Sequence, residues 1–268
     1  MSVDAPSRVV TAPGPLAHYP DLIGKVAVVT GGSRGIGAAT AAALAANGAL
    51  VAVVGRDLGA CEQTAASITA DRGQAVAIAA DCSNERELGR LAGDVAERLA
   101  QPDILVAFAG GNGAPVALAE ETGSHFREVV DGNLTATFLT IQAFLPGMLA
   151  RGSGTVITMA SAAARQAARS SAAYAAAKAG VVALTRHLAG ELGPQGIRLN
   201  CVSPSAVENE RMREHMTAEQ RDTLGAQFLL GRIGQPADVA AATLFLASDA
   251  SSWITGATLD IAGGKVML

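Results

Sequence analysis

From residue 25 onward, short apolar runs alternate with longer helix-forming stretches. Residues 25–30 (KVAVVT) are β-branched, too few for a helix, and followed by Gly31 and Gly32, so they predict a buried strand. Residues 38–47 predict a helix ended by Gly48. The same alternation predicts strands at 50–54, 75–79, 103–108, 155–160, 197–202 and 259–261. Helices are predicted at 58–72, 84–100, 124–150, 172–192 and 236–247, the last with Pro236 in its first turn and Asp238 near its positive end. Strands that alternate with helices and are apolar throughout imply a parallel sheet covered on both faces. The expected fold class is therefore α/β: a single doubly wound, Rossmann-like domain with a seven-stranded parallel sheet, spanning residues 21–268.

Two segments fall outside this rhythm. Residues 1–20 carry four prolines and no continuous apolar run, so they read as a flexible arm that could pack on a neighbouring subunit rather than a signal peptide. Residues 208–230 are rich in charge and follow a strand end, where ligands of open α/β sheets sit. They read as one or two amphipathic helices forming a lid, the alternative being an ordinary surface insertion.

The 268 residues are enough for one large core, and the net charge of −4 offers no footprint for nucleic acid or an anionic membrane. No stretch predicts a membrane span, and the expected compartment is the cytoplasm. Cys61, Cys82 and Cys201 are far apart and read as buried or semi-buried thiols, and neither they nor the four histidines have metal-ligand spacing.

The turn after the first strand carries the first chemistry. In Thr30-Gly31-Gly32-Ser33-Arg34-Gly35-Ile36-Gly37, Gly31 permits a tight turn, Gly35 a close approach to pyrophosphate, and Gly37 close helix–strand packing. This TGxxxGxG pattern, between strand and helix, resembles that of the short-chain dehydrogenase/reductase family, and the resemblance runs from about Leu22 to the C-terminus. It implies a nicotinamide cofactor. The family places its NAD-selecting acid where Gly55 stands, with Arg56 next. Arg34 and Arg56 could clamp a 2′-phosphate, which favours NADP(H). NAD(H) is the alternative, with two solvated arginines and Asp57 on the ribose. Asp81 and Cys82 match the family's adenine-contacting position, and Asp81 could also cap the following helix.

Tyr174 and Lys178 lie four apart on a predicted helix, hence on one face. A phenol has a pKa of about 10, and a nearby ammonium favours the phenolate. This pair is the family's YxxxK motif. The resemblance makes Tyr174 the general acid in reduction and base in oxidation, with Lys178 holding the nicotinamide ribose and tuning Tyr174. Ser161, thirteen residues earlier, would bind the substrate oxygen, and Asn133 would anchor a water in a proton relay. Taken alone, Ser161 could be a strand-end cap and Asn133 a polar helix residue bonded to backbone.

Departures from the family pattern are local. Its Asn-Asn-Ala-Gly is here Ala107-Phe108-Ala109-Gly110, so another group must satisfy the backbone those amides serve, and Phe108 adds packing near the cofactor. Its Pro-Gly, with a Thr four residues beyond, is here Pro204-Ser205 and Asn209, with the backbone of Val207 facing the carboxamide. The 162–171 loop would line the substrate pocket. Arg165 or Arg169 there could meet an anionic substrate, though surface charge is the plainer role. The resemblance, strongest to bacterial 3-oxoacyl-acyl-carrier-protein reductases, implies a homotetramer. Its small-molecule ketone or secondary-alcohol substrate could be acyl-carrier- or CoA-linked. The rival readings are a sugar, steroid or other secondary-alcohol dehydrogenase using NAD(P), and a non-catalytic nucleotide sensor.

Overall fold

Each strand alternates its side chains between two apolar faces. In the computed structural model, which describes residues 14, 16–113, 115–167 and 170–267, Val29, Val51, Val53 and Val106 enter one core with Leu44 and Leu244. Their strand neighbours Val28, Val54 and Leu105 enter the other, with Leu88, Leu91, Phe144 and Met148. Neither set could face water without losing roughly 1.5–3 kcal/mol per side chain, so helices must cover both sides. The strands are β1 (Val26–Thr30), β2 (Leu50–Gly55), β3 (Gln74–Ala79), β4 (Ile104–Ala107), β5 (Gly154–Met159), β6 (Ile197–Pro204) and β7 (Thr258–Ile261). They form one parallel sheet in the order β3-β2-β1-β4-β5-β6-β7. The expected fold class holds. Chain order reverses between β1 and β4, which opens a crevice at their C-terminal ends.

The helices are α1 (Gly35–Ala46), α2 (Leu58–Ala70), α3 (Glu85–Arg98), α4 (Gly123–Val130), α5 (Ala136–Arg151), α6 (Ala172–Leu192), α7 (Glu210–His215), α8 (Ala218–Gly225) and α9 (Pro236–Ala247). The helix expected at 124–150 is not uniform. A π-helical turn at Asp131–Thr135 separates α4 from α5, whereas Pro146 is accommodated inside α5. The charged 208–230 segment forms two short helices, each capped by its own sequence. Asn209 accepts from Met212 N–H, and Thr217 with Gln220 makes a capping box. The α7 helix buries none of its residues, so its face is not amphipathic in the sense expected. Most of the expected arm, residues 1–13 and 15, lies outside the described residues. At its end Tyr19 packs against the core and donates its N–H to Asn47 Oδ1 at 2.7 Å. All three cysteines are buried, as expected.

Candidate active site

The β1–α1 turn is built for backbone proximity. A Cβ on Gly31 would lie 2.8 Å from the Phe108 carbonyl oxygen, and one on Gly37 would collide with the Gly31 carbonyl. Gly35 has φ +55° and open space where a side chain would stand. No side chain caps α1: its N-cap, Arg34, makes no cap hydrogen bond, and the first turn has no acid. The first N–H groups of α1 thus point, without side-chain partners, into the crevice, which is the arrangement that receives a phosphate. Ser33 and Ile36 flank these glycines through backbone anchors, with Thr64 donating to Ser33 O and Thr40 to Ile36 O.

Gly55 ends β2 without a carboxylate, facing Ser33 and Cys61. Arg34 is not free: its guanidinium lies 3.6 Å from Asp57, an exposed pair of little energetic weight. Asp57 also accepts from Ala60 N–H as the cap of α2. The helix cap expected of Asp81 belongs instead to Asn84, which accepts from Arg86 and Glu87 N–H. Asp81 folds onto Ser83, accepting from its O–H at 2.7 Å and its N–H at 2.9 Å. Those bonds, with the Arg56 charge a lesser contributor, hold its carboxyl below the ordinary value despite partial burial. Burial pushes the Cys82 thiol up to about 11, and the side chain faces Thr140 and Thr30 inside the core.

The group that replaces the missing amides after β4 is Thr30. Its buried Oγ1 accepts from Phe108 N–H at 3.1 Å and Ala109 N–H at 3.2 Å, and donates to Val106 O. Sequence reasoning gave this threonine no role. The only signal available was a hydroxyl at the end of β1 beside a strand end lacking its usual side-chain donors. Gly110, at φ +142°, passes so close to Asn133 that a Cβ would lie 2.5 Å from its Oδ1. Asn133 sits in the π turn. Its Nδ2 donates to Gly111 O at 3.0 Å and Val129 O at 2.9 Å, and its Oδ1 accepts from Gly111 N–H at 3.1 Å. The side chain is therefore a clamp on the β4 loop.

Ser161 follows β5 and accepts from Ala163 N–H at 3.2 Å, so its cap role is real. Tyr174 enters α6 one turn after Ser171, whose hydroxyl caps the helix by accepting from Tyr174 N–H; this second role was also missed. Burial raises the Tyr174 phenol above its ordinary value, and the adjacent Ser161 hydroxyl partly offsets this. Lys178 is 2 % exposed, donates Nζ–H to Met159 O at 2.9 Å, and has Nζ 5.7 Å from the Tyr174 ring centre. Burial lowers its ammonium to about 8, against a weaker opposing influence of Cys201. The expected downward shift of Tyr174 by Lys178 is thus absent here: with Nζ tied to a carbonyl beneath the ring, burial dominates both groups. The structure brings Ser161, Tyr174 and Lys178 together, while Asn133 is joined to the β4 loop through Gly111. Pro204 ends β6 paired with Ile261, and Val207 bridges to Gly234, so their backbone forms the opposite rim. Asn209, the next residue expected at that end, spends its Oδ1 capping α7.

Arg165 is not the surface charge expected; its Nε lies 3.1 Å from Asp260 Oδ1, and both side chains are largely buried. Arg169 lies outside the described residues. No helix among the described residues is long and apolar enough to cross a membrane.

Comparison with known proteins extends these observations. Residues 31–265 match the sequence family described as enoyl-(acyl carrier protein) reductase. The chain is 40% identical to a D-threitol dehydrogenase of Mycolicibacterium smegmatis over 91% of its length and 93% of the relative's. It is 38% identical to a 3-oxoacyl-[acyl-carrier-protein] reductase of Synechocystis over 92% and 98%. A crystal structure of a 3-oxoacyl-[acyl-carrier protein] reductase with bound NAD, from Brucella melitensis, superposes with a TM-score of 0.86 at 34% identity, covering 96% of this chain and 98% of that one. With its parallel sheet, uncapped glycine turn and Ser–Tyr–Lys cluster, the chain belongs to the short-chain dehydrogenase/reductase family of oxidoreductases, which act on alcohols and ketones with nicotinamide cofactors.

Proposed function

We propose that this protein is an NADP(H)-dependent reductase of ketones, its substrate either free or a 3-oxoacyl thioester on acyl carrier protein or coenzyme A. The observation that carries the reading is the convergence of Ser161, Tyr174 and Lys178 beside the uncapped start of α1. The α1 N-terminus and the backbone of Gly31, Ser33, Gly35, Ile36 and Gly37 would hold the pyrophosphate. Asp81, Cys82, Phe108, Ala109 and Gly110 would line the adenosine side, and Pro204, Val207 and Asn209 the nicotinamide side. When bound, the nicotinamide supplies the hydride.

The chain's own groups do the rest. The Ser161 hydroxyl donates to the carbonyl oxygen and fixes it beside Tyr174. Because burial keeps the Tyr174 phenol protonated through neutral pH, it holds a proton at Oη for the developing alkoxide. Lys178 holds the ribose hydroxyls. Asn133 positions the β4 loop through Gly111. The α7 and α8 segment acts as the lid, being a polar pair of helices attached mainly through buried Phe228.

The preference for NADP(H) rests on Gly55, which leaves no carboxylate to repel a 2′-phosphate, and on Arg34 and Arg56 beside it. The Arg34–Asp57 pair favours the second reading, an NAD(P)-dependent secondary-alcohol dehydrogenase, since Arg34 would be freed for NADP(H) only if its 2′-phosphate outcompeted Asp57. The D-threitol dehydrogenase relative supports that reading too. We further place the protein in the cytoplasm as a homotetramer.

Absorbance at 340 nm with NADPH and NADH against ketones and 3-oxoacyl thioesters tests all of this. Turnover should prefer NADPH and fall by about 10²–10⁴-fold in Tyr174→Phe, with cofactor affinity retained. Preference for NADH would overturn the arginine argument and leave the catalytic one. Equal rates in Tyr174→Phe would overturn the mechanism.

A further inference from the structure

Two cavities are lined by segments that adjoin the site in the chain: the loop after Ser161 and the start of α6 for one, the β7 end and the proposed lid for the other. One, of about 590 Å³, is walled by Val116, Leu118, Ala164, Ala167 and the first turn of α6, next to Tyr174. The other, of about 330 Å³, lies under the proposed lid against Phe228, Leu230, Ala262 and Val266. Arg165 lines the first and Asp260 the second. Their 3.1 Å contact therefore links the wall of one cavity to the wall of the other.

The pair is out of the solvent: the side chains are 22% and 17% exposed. Among the described residues neither charge has another partner within salt-bridge or hydrogen-bond distance; Arg165 Nε and Asp260 Oδ1 are buried, and their contact is an ion pair that lacks the alignment of a hydrogen bond. At such burial a lone guanidinium would be a strong receptor for a carboxylate or phosphate. The other described cation in these walls, Arg232, is also spent, bonding Asp238 at 2.7 and 2.8 Å. Among the described residues, the rest of the first cavity's wall is uncharged: apolar side chains together with the polar Gln166, Ser170 and Ser171.

We infer that the Arg165–Asp260 pair is a specificity determinant: by occupying Arg165, Asp260 selects substrates whose portion inside the cleft is uncharged, and rejects anionic ketones. This rests on the ketone-reductase reading and names its substrate class. An anion entering either cavity would have to displace Asp260 from Arg165 or sit near a second carboxylate, and both oppose binding.

The test compares a keto acid with its ethyl ester on the same carbon skeleton. Wild type should favour the ester in kcat/KM by about tenfold or more. Asp260→Asn keeps the volume and unmasks Arg165, so it should lower that ratio about tenfold. Adding Arg165→Gln should restore it, and Asp260→Glu, which retains the pair, should leave it at the wild-type value. Thermal melting confirms that each variant is folded. A wild type that favours the acid, or an Asp260→Asn ratio equal to wild type, overturns the inference. Calorimetric titration of the same two ligands reads charge preference without turnover. Tighter binding of the ester that is lost in Asp260→Asn supports the pair even if neither ketone is reduced, a failure that would count against the reductase reading. Equal binding of acid and ester by the wild type overturns the pair.

Discussion

Tyr174 and Lys178 occupy one helix face, yet burial drives their ionisations in opposite senses. The Tyr174 phenol is raised and the Lys178 ammonium is lowered from 10.5 to about 8. In both cases the neutral form is the one a desolvated site prefers. The consequence for stability has a definite sign. Below pH 8 Lys178 is protonated in both folded and unfolded chains, and the burial penalty is present in full. Between about 8 and 10.5 the unfolded chain binds more protons, so this lysine makes stability rise with pH. The gap corresponds to roughly 3 kcal/mol. Urea denaturation of the cofactor-free protein from pH 7 to 10.5 should show it as the difference between wild type and Lys178→Met. The variant lacks the rise, while the opposing losses from Tyr174 and Cys82 are common to both and cancel; that of Cys201, which the Lys178 charge lowers, is removed by making the comparison in a Cys201→Ala background. A difference that stays flat over that window would show that Lys178 is better solvated than its 2 % exposure implies.

The β1–α1 turn shows why three glycines in one motif are not equivalent. At Gly37 a methyl group meets the Gly31 carbonyl, and neither backbone can retreat because Phe108 and Ala109 lie behind. At Gly35 the space is open and only the positive φ resists a side chain. Gly37→Ala should therefore destabilise the fold by about 3 kcal/mol or more and abolish cofactor binding. Gly35→Ala should cost about 1–2 kcal/mol and weaken binding by placing a Cβ where the pyrophosphate would lie. Chemical denaturation together with quenching or enhancement of NADPH fluorescence separates the two. Equal stabilities would mean that the turn relaxes. The π turn is the corresponding feature of the α4–α5 element. Periodicity alone predicts one continuous helix there, because a single widened turn scarcely disturbs an apolar pattern; the clamp from Asn133 to Gly111 and Val129 is what rewards it.

For the whole molecule, the sheet leaves β7 as an edge, with Leu259 40% exposed, and Trp253 nearby is almost entirely exposed. Phe126 on α4 and Phe138 on α5 are partly uncovered, at 38% and 41%. An exposed edge strand and unpartnered aromatic residues are surfaces that association covers. Sedimentation equilibrium should give a mass near four times 26.9 kDa, and a monomer at micromolar concentration would refute the tetramer. Much of this molecule follows from local pattern. The seven strands, the exact span of α6, the glycine turn and the Tyr174–Lys178 spacing are legible because period, turn chemistry and helical repeat act over a few residues. What the residue order could not show are contacts made across the fold: the Thr30 hydroxyl that serves the Phe108 and Ala109 N–H groups, the cap taken by Asn84 in place of Asp81, and the lowered ammonium of Lys178. The Arg165–Asp260 pair joins residues ninety-five positions apart. Hydrogen-bond satisfaction and desolvation depend on which atoms surround a group in space, and only packing of the sheet against its helices decides that.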